Sequence, residues 1–324
     1  MSDVRTEASS GAGTGGIDIR RMLVQRTVGI VGNGFIGKAA QQLACRDVRV
    51  LAFDVNPDLC EPRGLTLKEL CEEADVVWVS VPTPMNPKDG SAHLGVVEKA
   101  VRQCMGAGAK HIVLRSTVPP GTSRRLGVAF MPEFLTEARP ADDFRECSTW
   151  FVGFDPGSSV FAEPGGLMHP GTMEAALRTK DVLETAHRAG RLTSSSFKVI
   201  LHDTATAEMI KYARNTFLAL KVAFANEMAD VCKKIGVFWH MVADAMGDDK
   251  RIGPSHLAVP GPDGKRGFGG TCFPKDVCAL RARALDLGAR TPLLDAAWAR
   301  NVMIDRPERD WEADKGRAVA EEDA

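Results

Sequence analysis

The 324-residue chain carries 41 Lys and Arg against 42 Asp and Glu, a net charge of −1, with 44% apolar and 26% charged residues. This is an ordinary globular composition with room for two domains, and its balanced charge offers no bulk attraction to nucleic acid or an anionic membrane. No apolar run approaches the roughly 20 residues of a membrane helix, and the eight cysteines, none in a Cys-x-x-Cys pair, suit reduced thiols in a cytoplasmic protein without a metal site.

The first 26 residues are polar, rich in Gly and Ser, and lack the apolar core of a signal peptide; a disordered tail is expected there. Residues 27–32 (Thr-Val-Gly-Ile-Val-Gly) have the pattern of a buried strand. A helix is expected over 37–45, a second strand over 48–53 closed by Asp54, and a short helix over 67–73. A third strand over 75–81 is stopped by Pro82-Thr83-Pro84. After a helix at 94–105, a fourth strand at 111–114 leads into Ser116-Thr117-Val118-Pro119-Pro120-Gly121. Strands alternating with helices imply a parallel sheet covered on both faces.

The stretch 150–206 is less regular, with a strand expected at 151–154, a helix at 171–189 and a strand at 197–201. The longest helical run, 205–235, has no internal Pro or Gly and ends at Gly236. Its apolar residues, among them Phe217, Phe224, Val231 and Ile235, lie on several sides, which suggests burial in a core or a dimer interface. The remainder to 301 reads as mainly helical, broken by a Gly/Pro-rich loop at 253–270, and a frayed charged tail is expected over 305–324.

Gly32-Asn33-Gly34-Phe35-Ile36-Gly37 matches G-x-G-x-x-G between a strand and a helix, the context in which glycines let a pyrophosphate approach a helix N-terminus. Asp54 falls where a ribose-binding acid belongs, and an acid there repels a 2′-phosphate, which favours NAD over NADP. Pro82, Thr83, Ser116 and Thr117 close strands three and four; they are cofactor or substrate positions, or ordinary turns. Lys211 and Asn215 are one helical turn apart and can hold an oxyanion together, or form part of a solvated stripe. Cys272 follows Gly267-Phe268-Gly269-Gly270-Thr271 and precedes Lys275, a cation that would lower its pKa; the alternative is a small buried hydrophobe. Glu133 and Glu137 can activate water, or are exposed acids of a surface turn.

Together these segments resemble the UDP-glucose/GDP-mannose dehydrogenases, NAD-dependent enzymes that oxidise a nucleotide-sugar alcohol twice, to a uronic acid. The resemblance spans 27–301 through Gly-Asn-Gly-Phe-Ile-Gly, Val-Pro-Thr-Pro, Ser-Thr-Val-Pro-Pro-Gly-Thr, Pro-Glu-Phe-Leu, Ala-Glu-Met-Ile-Lys-Tyr-Ala-Arg-Asn and Gly-Phe-Gly-Gly-Thr-Cys-Phe-Pro-Lys-Asp. It implies an α/β fold: a Rossmann-type doubly wound parallel sheet over 27–203, then a mainly helical dimerisation and catalytic domain over 204–304. It also implies that Cys272 forms a thiohemiacetal and then a thioester, while Lys211 and Asn215 stabilise oxygen charge. Asp276 and Thr117 would position water, and Glu133 and Glu137 would assist thioester hydrolysis. Phe134, Leu135, Phe268 and Gly269 match substrate-contacting positions, and Arg251 matches an arginine that reaches a neighbouring subunit's substrate. The long helix corresponds to the family's homodimer core.

Two departures stand out. Met131 occupies a position usually held by Asn, and the chain ends soon after Asn301, where the family continues into a nucleotide-holding third domain. A nucleotide-sugar or smaller nucleotide-like substrate is therefore expected. The alternatives are a two-electron β-hydroxyacid-type dehydrogenase using Lys211 and Asn215 without the thiol, or a non-catalytic dinucleotide-binding regulator.

Overall fold

The computed structural model describes residues 25–156 and 170–321. Its centre is a seven-stranded sheet in the order β2-β1-β3-β4-β5-β6-β7. The strands are β1 (Arg26–Val31), β2 (Val48–Phe53), β3 (Val76–Val79), β4 (Ile112–Leu114), β5 (Ala129–Phe130), β6 (Thr149–Phe154) and β7 (Lys198–Asp203). All neighbours pair in parallel except β5 and β6, which meet antiparallel at Phe130 and Gly153. The fold is the expected α/β sheet of Rossmann type. The helices are α1 (Phe35–Ala40), α2 (Leu67–Glu73), α3 (Gly95–Gly106), α4 (Thr122–Leu126), α5 (Pro140–Glu146), α6 (Pro170–Arg188), α7 (Thr204–Ile235), α8 (Trp239–Asp248), α9 (Phe273–Asp286) and α10 (Pro292–Arg300).

The strands read as apolar runs because both sheet faces are covered. Along β3, Val76 and Trp78 enter a core with Ile30, Val113, Phe144 and Trp150, while Val77 and Val79 enter one with Leu70, Val97, Leu114 and Phe130. The chain runs outward from β1 to β2 and then returns to β3 on the other side of β1. The crevice above β1 and β3 is therefore a topological switch point, where open α/β sheets bind ligands.

Helix α7 has 32 residues; Asp203 caps its start by accepting from the Thr206 N–H, and Gly236 ends it at φ +76°. One face buries Tyr212, Asn215, Ala219, Ala223 and Cys232. Another leaves Phe217, Phe224 and Val231 exposed at seven-residue spacing. The long helix is thus not buried all round within one chain.

Two boundaries differ from the sequence expectations. The expected N-terminal tail lies outside the described residues up to 24, but Arg26 already belongs to β1. The C-terminal fray expected over 305–324 is absent over its described part, 305–321. Trp311, Ala318, Val319 and Ala320 are buried, and Met85 exchanges backbone hydrogen bonds with Ala318 and Ala320 at 2.8 Å each. Charge dominates the composition of this segment and hides its few apolar residues. Within it, Arg306 binds Asp310 and Asp263 at 2.7 Å. Over the described residues, no helix is long and apolar enough to cross a membrane.

Candidate active site

A cavity of about 550 Å³ opens above the β1/β3 crevice and extends to Cys272. The glycine turn forms one end. Gly32 has φ +91°, and a Cβ there would stand 2.6 Å from the Ser80 carbonyl oxygen. A Cβ on Gly37 would lie 2.3 Å from the Gly32 oxygen, so this glycine lets the helix close on the strand. Gly34 differs: nothing lies within 4 Å of its would-be Cβ, and it lines the cavity. A side chain would fill the space that a pyrophosphate needs in front of the first-turn N–H groups of α1. Asp54 is fixed beside this turn, one oxygen accepting from the Asn33 N–H at 2.7 Å and the other from the Asn56 N–H at 2.9 Å. The turn therefore fits a dinucleotide with free ribose hydroxyls.

Phe35, Ile36, Pro82, Thr83, Ser116 and Thr117 line the same cavity. The Ser116 hydroxyl donates to the Val81 carbonyl at 2.6 Å, which ties the loops after β3 and β4 together. Glu133, Glu137, Thr271, Cys272 and Lys275 form the far end.

Lys211, Asn215 and Asp276 stand behind that end, and α7 organises them. The Lys211 ammonium donates to Glu133 at 2.7 Å, with both side chains about 5% exposed or less. One turn later, the Asn215 amide donates to Asp276 at 2.6 Å, and Lys275 donates to the other Asp276 oxygen at 2.5 Å. Burial alone would push the Glu133 carboxyl up. The Lys211 charge and hydrogen bond, the Leu135 N–H and Arg115 reverse this and hold it below its ordinary range. The Thr271 hydroxyl donates to Glu137 at 2.8 Å.

Cys272 sits at the N-cap of α9, 3.9 Å from the Thr271 hydroxyl. The cation at Lys275 does not lower the thiol overall. Burial pushes the Cys272 pKa up more strongly than Lys275 and Lys211 pull it down, and the charge of Asp276, paired with Lys275, adds to the rise. Lys275 keeps its proton despite burial because Asp276 is its partner.

The remaining expected positions lie elsewhere. Phe134 and Leu135 line a second cavity. Phe268 is buried, and both its backbone N–H and its carbonyl are taken up by Asn301 at 2.8 and 2.9 Å. Gly269 packs against the Arg306 guanidinium. Arg251 is 88% exposed and paired with Asp249 within its own chain. Arg317, by contrast, lies in the stretch read as frayed yet lines the cofactor cavity. No spacing signal marks it, because only the fold of 306–320 carries it there.

Residues 64–159 match the NAD binding domain of the UDP-glucose/GDP-mannose dehydrogenase family, and residues 205–302 match its central domain. Residues 7–89 also match the NAD binding domain of the D-isomer specific 2-hydroxyacid dehydrogenases. The chain is 33% identical over 250 residues to the UDP-glucose 6-dehydrogenase of Rhizobium meliloti, covering 72% of this chain and 52% of the relative. It is 35% identical over 256 residues to that of Pseudomonas aeruginosa, covering 73% and 50%. It thus spans about half the length of the curated relatives it matches. A solved UDP-glucose dehydrogenase from the hyperthermophilic archaeon Pyrobaculum islandicum aligns at TM-score 0.70 and 28% identity, over 86% of this chain and 68% of that one.

Proposed function

The chain belongs to the UDP-glucose/GDP-mannose dehydrogenase family, and from that premise we propose that it oxidises the primary alcohol of a nucleotide-sugar to a carboxylic acid in two NAD-dependent steps. The observation that carries this reading is one cavity bounded by the dinucleotide turn at one end and Cys272 at the other. Lys211 and Asn215 lie directly behind the thiol end, each tied to a carboxylate.

Bound NAD supplies two-electron hydride acceptance. The chain's own residues hold the oxygen, the carbon and the water. Lys211 and Asn215 are preorganised donors for charge developing on the reacting oxygen. After the first oxidation, the Cys272 sulfur bonds to the aldehyde carbon, and the carbonyl oxygen takes a proton to give a thiohemiacetal. Loss of a hydride and a proton leaves a thioester. Water, positioned by Thr117 and Asp276 and deprotonated by Glu133 or Glu137, attacks that carbon. The C–S bond breaks and the thiol is restored. In sum, one alcohol, two NAD+ and one water yield one carboxylate, two NADH and three protons.

The same reading includes a cytoplasmic homodimer. Support comes from the exposed stripe of Phe217, Phe224 and Val231 along α7, since exposed apolar patches mark interaction surfaces. The side chain of Arg251 is 88% exposed, so its pair with Asp249 is weak in water and can be exchanged for a group on a neighbouring subunit. A two-electron dehydrogenase using only Lys211 and Asn215 is the second reading; the upward shift of the Cys272 pKa favours it. Cys272→Ser separates the two. In the covalent mechanism, the variant accumulates a trappable aldehyde from UDP-glucose and loses acid formation by at least about a hundredfold. Acid formation at the wild-type rate would exclude the thiol.

A further inference from the structure

A second cavity of about 470 Å³ lies behind the loop after β5, and Glu133 is the single residue that it shares with the first. Two guanidinium groups line it. Arg115 is 1% exposed, and its Nε and Nη1 have no hydrogen-bond partner. It rests against the faces of Trp78 and Phe144, 5.2 and 5.5 Å from their ring centroids, which offsets only part of the cost of burying its charge. Burial pushes the Arg115 pKa down to about 10, against the pull of Glu133. Arg214 reaches in from the exposed side of α7, with its guanidinium carbon 3.7 Å from the Phe134 ring centroid.

The acids of this cavity are already engaged. Glu133 binds Lys211 and the Leu135 N–H. Asp143 accepts from the Thr136 N–H and hydroxyl. Glu146 pairs with Arg139 at 3.5 Å. Among the described residues, neither Arg115 nor Arg214 makes an ion pair or a hydrogen bond. A buried guanidinium with unpartnered N–H groups, lining the same cavity as a second cation, marks a site suited to an anion.

We propose that this cavity binds phosphate, free or as a phosphomonoester, between Arg115 and Arg214. Two planar forks suit a tetrahedral ion with several acceptor oxygens better than a carboxylate, which one fork already satisfies. A phosphate fills only part of the volume, and the rest is walled by Phe134, Phe144 and Trp150. The assignment does not depend on the reaction proposed above.

Calorimetric titration of the full chain with inorganic phosphate and with glucose 6-phosphate, at fixed ionic strength, tests it. Saturable binding of either is expected, and a tighter fit for glucose 6-phosphate identifies the ester as the better occupant. Arg214→Gln and Arg115→Gln should each weaken binding by about tenfold or more while NAD+ affinity is retained. Arg214 is exposed, so its variant keeps the test valid even if the Arg115 variant fails to fold. Absence of saturable binding, equal affinity in the Arg214 variant, or displacement of phosphate by NAD+ or UDP-glucose would each overturn the proposal.

Discussion

The ion pair between Lys211 and Glu133 is buried at 2.7 Å and closes the back wall of the cavity. Removing one member strands the other charge in the interior, at a cost of about 3–5 kcal/mol. Lys211→Met should therefore destabilise the protein by that amount in chemical denaturation, and Lys211→Met with Glu133→Gln should recover more than half. A single-variant cost below about 1 kcal/mol would mean that water reaches the pair. The sign with pH follows from Glu133, whose folded pKa is lowered. Its contribution is complete above the ordinary carboxylate value of about 4.3 and is lost as pH falls through the folded pKa. At this scale the sequence was informative about identity but not about partners. Lys211 and Asn215 stood out as polar residues on an apolar helix, but their choice of Glu133 and Asp276, 78 and 61 residues away, comes from tertiary packing. Burial, not the neighbouring lysine, decides the Cys272 pKa, and neighbours in sequence do not report burial.

Helix α7 and the segment 306–320 show why elements were legible to different degrees. A run of 32 residues without Pro or Gly, closed by Gly236, identifies a helix at once. Which of its faces meets the core depends on α9, α10 and the sheet, so the exposed stripe at Phe217, Phe224 and Val231 emerges only in the fold. The C-terminal segment has no periodicity to read, yet it is pinned to Met85 by two backbone hydrogen bonds and presents Arg317 to the cofactor cavity. Its nearest acid, Asp314, lies 3.8 Å away, a weak and exposed pair that leaves the guanidinium available. Arg317→Ala should raise the NAD+ dissociation constant by about tenfold, the worth of one charge-assisted contact, with unchanged thermal stability. Unchanged affinity in a fluorescence titration would place Arg317 outside the cofactor's reach.

Across the whole molecule, the sheet brings the ends of β1, β3, β4 and β5 to one crevice, and α7 and α9 close it with Lys211, Asn215 and Cys272. The alternation of strand and helix made this architecture readable in outline. The crevice that holds the dinucleotide turn and Cys272 was readable with it; the second cavity was not, because Arg115 and Arg214 lie inside motif segments whose neighbours drew the chemistry. The chain covers about half of its curated relatives, and the residues proposed for chemistry all fall within the matched NAD binding and central regions or their near neighbours. The most direct measurement is the number of NADH formed per UDP-glucose consumed by the purified protein. The covalent, four-electron account predicts two. A ratio of one, with aldehyde as the final product, would contradict it.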